Sequence, residues 1–193
     1  MNSTVKRITE SAMLIAVGTV LSLIAFQGPW PQGGSITVGS MLPIVLIAHR
    51  HGTSWGVLSA LTYSLVQLVL GLNNLQWAPT WYSALGIVLF DYVLAFTVIG
   101  FAAMFNAKVS DRRASIVLGI AFTFTARFAC HFISGVLIWG AIFPNDLGWA
   151  ASLFSLVYNG SYMLPEILIS AFLALLLYLP LGRYWRGEDM VRT

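Results

Sequence analysis

Arg127, His131, Gly135 and Trp139 recur every four residues inside the apolar stretch 116–143. On a helix this spacing forms one slowly drifting stripe, so a cation, an imidazole, a gap and an indole share a face. Two neighbouring apolar stretches carry groups that match it. Asp91, followed by Tyr92, lies within 82–105, and Asn159, Tyr162 and Glu166 stand at i, i+3 and i+7 within 158–179. Charged and titratable side chains are costly in hydrocarbon and face a partner or a cavity there. The chemistry on offer is recognition: His131 and Trp139 give ring faces, Asp91 a counter-charge, Asn159 both a donor and an acceptor, and Gly135 room between the rings. Such a set suits a flat, aromatic ligand that is cationic or rich in hydrogen bonds.

Plainer roles stand beside this one. Arg127 is read first as a structural ion pair with Asp91 or Glu166, and His131 alone as a hydrogen-bonded core residue. Trp55, Trp149, Tyr184 and Trp185 fall at span ends and read as interfacial belt residues. Arg50 and the His residues beside it read as topology signals rather than a site. Cys130 is the single cysteine, so it forms no internal disulfide, and no cysteine and histidine spacing suggests zinc or any other metal or cofactor.

The elements that must position these groups follow from composition. Of 193 residues, 58% are hydrophobic and 9% charged, with mean hydropathy +0.82, where soluble domains carry about a quarter charged residues. The chain reads as an all-α integral membrane protein, one membrane-embedded domain over residues 1–193. Lys and Arg are scattered between apolar runs rather than gathered in a patch, which argues against nucleic acid. Six spans are expected, over 8–26, 36–48, 55–72, 82–105, 116–143 and 158–179. The second is short, about 20 Å at helical rise, and holds Gly39 and Pro43. Of the ten Lys and Arg residues, nine fall at the N-terminus, in the 2-3 and 4-5 loops or at the C-terminus, and the tenth is Arg127. The positive-inside rule then places both termini in the cytoplasm of a multi-pass cell-membrane protein.

In that topology Asp91 lies roughly 12 Å below the outer end of its span, level with His131 and Gly135. The loop holding Trp30, with Trp77, Trp81 and Tyr82, sits above them. In the first span Ala12 and Ala16, four residues apart, let another helix approach closely, either within the bundle or on a partner.

Four stretches carry a resemblance: Gly33-Gly-Ser-Ile36 with Ser40-Met-Leu-Pro-Ile-Val-Leu46; Asp91-Tyr-Val-Leu-Ala-Phe96; His131-Phe-Ile-Ser-Gly135; and Tyr158-Asn-Gly-Ser-Tyr-Met-Leu-Pro-Glu166. Together they resemble the thiamine-specific S component of energy-coupling factor (ECF) transporters, over most of the chain. The resemblance implies high-affinity capture of thiamine from outside, and delivery through a transmembrane coupling protein and two ATPase subunits. It assigns substrate contacts to Asp91, Tyr92, His131, Gly135, Trp139 and Asn159, a lid to Trp30, and the partner-facing surface to Ala12 and Ala16. Members often have Glu at Asp91 and a tyrosine at Phe154 or Trp81, departures that point to Tyr158 or Tyr82 for the displaced hydrogen bond. The chain has no G-x-x-x-x-G-K-[ST] loop, so ATP drive by that route would come from partners. It also lacks HExxH, so an enzyme is not expected. Other readings are an S component for another vitamin or a pyrimidine or flavin compound, a membrane enzyme using His131 with Asp91 or Glu166, and a proton-coupled carrier.

Overall fold

The computed structural model describes residues 3–29 and 33–190. Its helices are α1 (Ser3–Leu23), α2 (Leu42–His51), α3 (Thr53–Leu70), α4 (Trp81–Phe105), α5 (Arg112–Ile142) and α6 (Ala151–Trp185). Between α1 and α2, β1 (Ala25–Phe26) pairs antiparallel with β2 (Ile36–Thr37), Ala25 opposite Thr37 and Phe26 opposite Ile36. Helices dominate, as the composition implies.

Helices α3, α4, α5 and the stretch Ala151–Met190 that contains α6 are each long and apolar enough to cross a bilayer. The other two differ from the expected spans. α1 has 21 residues but opens with Lys6, Arg7 and Glu10. α2 is shorter than read from sequence, because residues 36–37 pair as a strand and the helix begins only at Leu42. Its ten residues rise about 15 Å, half of a hydrocarbon core of about 30 Å. What α2 lacks in length it gains in burial, with every residue except Leu46 removed from the surface. Pro43 suits its first turn, where a missing N–H costs nothing.

Small residues bring the surrounding helices close. A Cβ on Gly119 of α5 would strike the Ala102 carbonyl of α4, and one on Gly100 of α4 would strike the Val57 backbone of α3. Such contacts let backbones approach without side chains between them, where lipid offers no hydrophobic drive to associate.

One end of the bundle is closed by ions. Arg50, only 5% exposed, reaches both Asp189 oxygens at 2.5 and 2.7 Å, the Tyr184 carbonyl at 2.8 Å and Glu10 at 2.5 Å, with its guanidinium over the Tyr184 ring. Glu10 also accepts from the Tyr184 hydroxyl and lies 3.1 Å from His51 Nε2. Arg50, read from sequence as a topology signal, thus ties α1, α2 and the end of α6 together. Arg50→Met leaves Glu10 and Asp189 without their cation; it is expected to cost about 3 kcal/mol, read as a lowered melting temperature in detergent.

The opposite end holds the ribbon and its loop. Thr37 is fastened to α6 by Glu166, whose two oxygens accept from the Thr37 amide at 2.7 Å and hydroxyl at 2.5 Å.

Candidate ligand-binding site

Near the ribbon, α4, α5 and α6 diverge around a cavity of about 220 Å³, completed by the ends of α1 and α3 and by residues 33–35. The backbone widens into π-type turns in two of its walls, over Val88–Leu94 of α4 and Gly135–Trp139 of α5. Insertions of this kind are frequent at functional sites because they re-aim side chains within a helix. Here they carry the carboxylate and the indole.

Asp91 is the meeting point. One oxygen lies 3.1 Å from His131 Nδ1; the other accepts from Ser134 Oγ and Trp139 Nε1, each at 2.8 Å. Three side chains from α5 therefore hold one carboxylate from α4. Trp139 stacks on Phe143 with planes 8° apart, and the His131 ring meets Tyr162 edge-on at 6.4 Å.

The α6 wall is a chain of polar contacts. The Asn159 amide donates to the Ser155 carbonyl at 2.9 Å and the Ser155 hydroxyl at 3.1 Å, while its carbonyl accepts from Tyr162 Oη at 2.5 Å. Tyr158 Oη donates to the Gly33 carbonyl at 2.7 Å, tying the loop to α6. Gly34 has φ +106°, a region that favours glycine, and a Cβ there would sit 2.7 Å from the Tyr162 ring. The loop thus packs directly against the aromatic wall.

Asp91, Tyr92, His131, Gly135, Trp139, Tyr158 and Asn159 all line the cavity. Tyr92 also anchors the turn after α3, donating to the Gly71 carbonyl at 3.0 Å and accepting from Asn74 at 2.8 Å. Trp81 and Tyr82, expected above the cavity, do not line it. They begin α4, are 78% and 63% exposed, and pack edge-on against each other at 5.9 Å. Trp30 lies outside the described residues. Ala12 and Ala16 are exposed on α1.

Arg127 corrects the expectation of an ion pair: among the described residues, no ion pair joins it to Asp91 or Glu166. Its Nε donates to His131 Nε2 at 3.2 Å, Nη1 contacts the Met41 sulfur, and the guanidinium lies 4.1 Å from the Phe96 ring centroid. Glu166 is committed to Thr37 instead. Two contributors were missed from sequence, Ser134 and Ser155. Ser134 stands three residues beyond His131, so the helical face already pointed to it. Ser155 lies outside the span expected for α6, which begins earlier than its hydropathy suggested.

Gly135 has no room for a side chain: an added Cβ would press on the Ser155 hydroxyl and lie 3.2 Å from Asn159 Nδ2. Gly135→Ala is expected to push α6 from α5 and weaken ligand binding about tenfold, measured by isothermal titration.

A bundle of apolar helices around a polar, ring-lined cavity, with a carboxylate from a helix long and apolar enough to cross a bilayer, defines a membrane protein with room for a small solute. The chain belongs to the thiamine transporter protein family (Thia_YuaJ), whose model matches residues 8–184. It is 30% identical over 192 residues to the thiamine transporter ThiT of Bacillus subtilis (strain 168), covering 94% of this chain and 95% of that one. It also matches a solved structure of ThiT from Listeria monocytogenes with TM-score 0.75 and 27% identity, over 95% of this chain and 99% of that one. The family is one of thiamine uptake, and these relatives are named for transport rather than catalysis.

Proposed function

We propose that the chain is the thiamine-binding S component of an ECF-type importer, a single multi-pass domain of the cytoplasmic membrane with both termini inside. It captures thiamine from outside with high affinity in the cavity of α4, α5 and α6. The observation that carries this reading is the Asp91 carboxylate in the cavity wall, flanked by the rings of His131 and Trp139. A thiazolium is a flat, permanent cation, and a carboxylate held in a low-dielectric site attracts it far more strongly than one in water. With Asp91 and Glu166 ionised, the cavity's charged groups, those two and Arg127, sum to one negative charge, complementary to a monocation. The surrounding rings supply stacking and cation–π surface.

Tyr92, Gly135, Tyr158 and Asn159 shape and line the same site, Trp81 and Tyr82 belong to its outer approach, and Trp30 is assigned to thiamine binding as a lid. Energy comes from two ATPases through a transmembrane coupling protein, which meets the exposed Ala12 and Ala16 face of α1. That this sequence has no phosphate-binding loop supports a divided machine.

Competition binding of the purified chain against a panel of vitamins tests the assignment. Thiamine is expected to displace labelled thiamine while riboflavin and uncharged pyrimidines do not; equal displacement by a flavin would sink it. In liposomes, the chain alone is expected to accumulate no thiamine under a pH gradient. Accumulation there would favour a proton-coupled carrier.

A further inference from the structure

His131 is held from both sides by groups whose hydrogen-bonding roles are not interchangeable. A guanidinium has only N–H donors. With Arg127 Nε 3.2 Å from His131 Nε2, that ring nitrogen must be the acceptor, and the ring's one proton must sit on Nδ1, facing Asp91 at 3.1 Å. The three groups form a directed relay, Arg127 to His131 to Asp91, spanning two helices.

We propose that Arg127 is a positioning residue that fixes the Nδ1–H tautomer of His131 and keeps the ring uncharged, so that Asp91 retains its full negative charge for a cationic ligand. The consequence runs against first intuition. A lone carboxylate beside an imidazole draws a second proton onto the ring, and the resulting imidazolium cancels the carboxylate. A fixed cation facing Nε2 removes the place for that proton, so a positive residue in the wall improves the site for a positive ligand. The charged and titratable groups around the ring are Asp91 from α4, Arg127 one turn away on α5, and the Tyr162 ring from α6. Phe96 and Met41 occupy the other sides of the guanidinium and leave its Nε directed at the histidine. Ser134 and Trp139 fill the second Asp91 oxygen, so the first is left to His131.

The inference rests on the thiamine-binding reading only for its effect on affinity; the tautomer can be read with no ligand. Nitrogen NMR of the chain labelled at histidine distinguishes the three ring states, and His131→Gln identifies the signal among the three histidines. The wild-type ring is expected as the neutral Nδ1–H form. An Nε2–H form or an imidazolium overturns the proposal, whatever the ligand turns out to be. In Arg127→Met the ring is expected to lose this fixed form, thiamine affinity to fall about tenfold near neutrality, and affinity to decline further from about pH 7.5 to about pH 6, where wild type stays level. Arg127→Lys keeps a donor-only cation and is expected to restore the Nδ1–H form and most of the affinity. If Arg127→Met keeps both the wild-type ring state and a level pH profile, Arg127 is packing alone and the proposal fails. Should Arg127→Met not fold, the wild-type and Arg127→Lys spectra still decide it.

Discussion

Asp91→Asn is expected to lose about 3 kcal/mol or more of thiamine affinity, on the order of a hundredfold or more in Kd by calorimetric titration. Two losses combine. The cation loses its counter-charge in a site where water cannot replace it. The network also suffers, because an amide presents an NH₂ group to a position where His131, Ser134 and Trp139 all donate. One of those donors is then left facing another. Asp91→Glu separates charge from scaffold: it keeps the negative group with one more methylene and is expected to stay within about tenfold of wild type. A large loss in both variants would mean that the network, rather than the charge, governs binding.

Trp139→Ala is expected to cost about 2 to 4 kcal/mol of binding, the range of buried aromatic anchors. The indole lines the cavity, packs flat on Phe143 and donates to Asp91. Trp139→Phe divides those roles. It keeps a face and loses the N–H, so its cost is that of one hydrogen bond to a charged group, about 1.5 to 3 kcal/mol. If Trp139→Phe is as damaging as Trp139→Ala, the hydrogen bond outweighs the stack. If it is nearly silent, the ring face carries the energy. Titrations of the two variants under the same conditions settle the division.

These two residues were legible in the sequence because helical periodicity and span direction alone bring them to one depth. Four-residue spacing put His131, Gly135 and Trp139 on one face, and counting along antiparallel spans put Asp91 beside them. The groups that periodicity placed less well depend on contacts far apart in sequence. Glu166 was a free candidate for Arg127 until the fold showed Thr37, from the ribbon, holding both its oxygens. Nothing local in either segment announces that pairing. The ribbon itself was read as the start of a span, since Ile36–Thr37 is as apolar as the helix it precedes. Pairing with Ala25–Phe26 decides otherwise, and α2 is shortened to a helix whose stability comes from being surrounded.

Trp81 and Tyr82 stand in the first turn of α4, exposed and outside the cavity lining. Hydropathy sets where a helix starts and leaves open which way its first turn faces. The π-type turns were equally silent in sequence, although the stripe survives them because a wider turn still returns close to the same face after four or five residues.

A structure of the chain with thiamine bound tests the central claim most directly. The account predicts a thiazolium nitrogen within about 6 Å of the Asp91 carboxylate, with a ligand ring lying against His131 or Trp139. A ligand seated outside the cavity, or inside it with its charged ring turned away from Asp91, would contradict that claim.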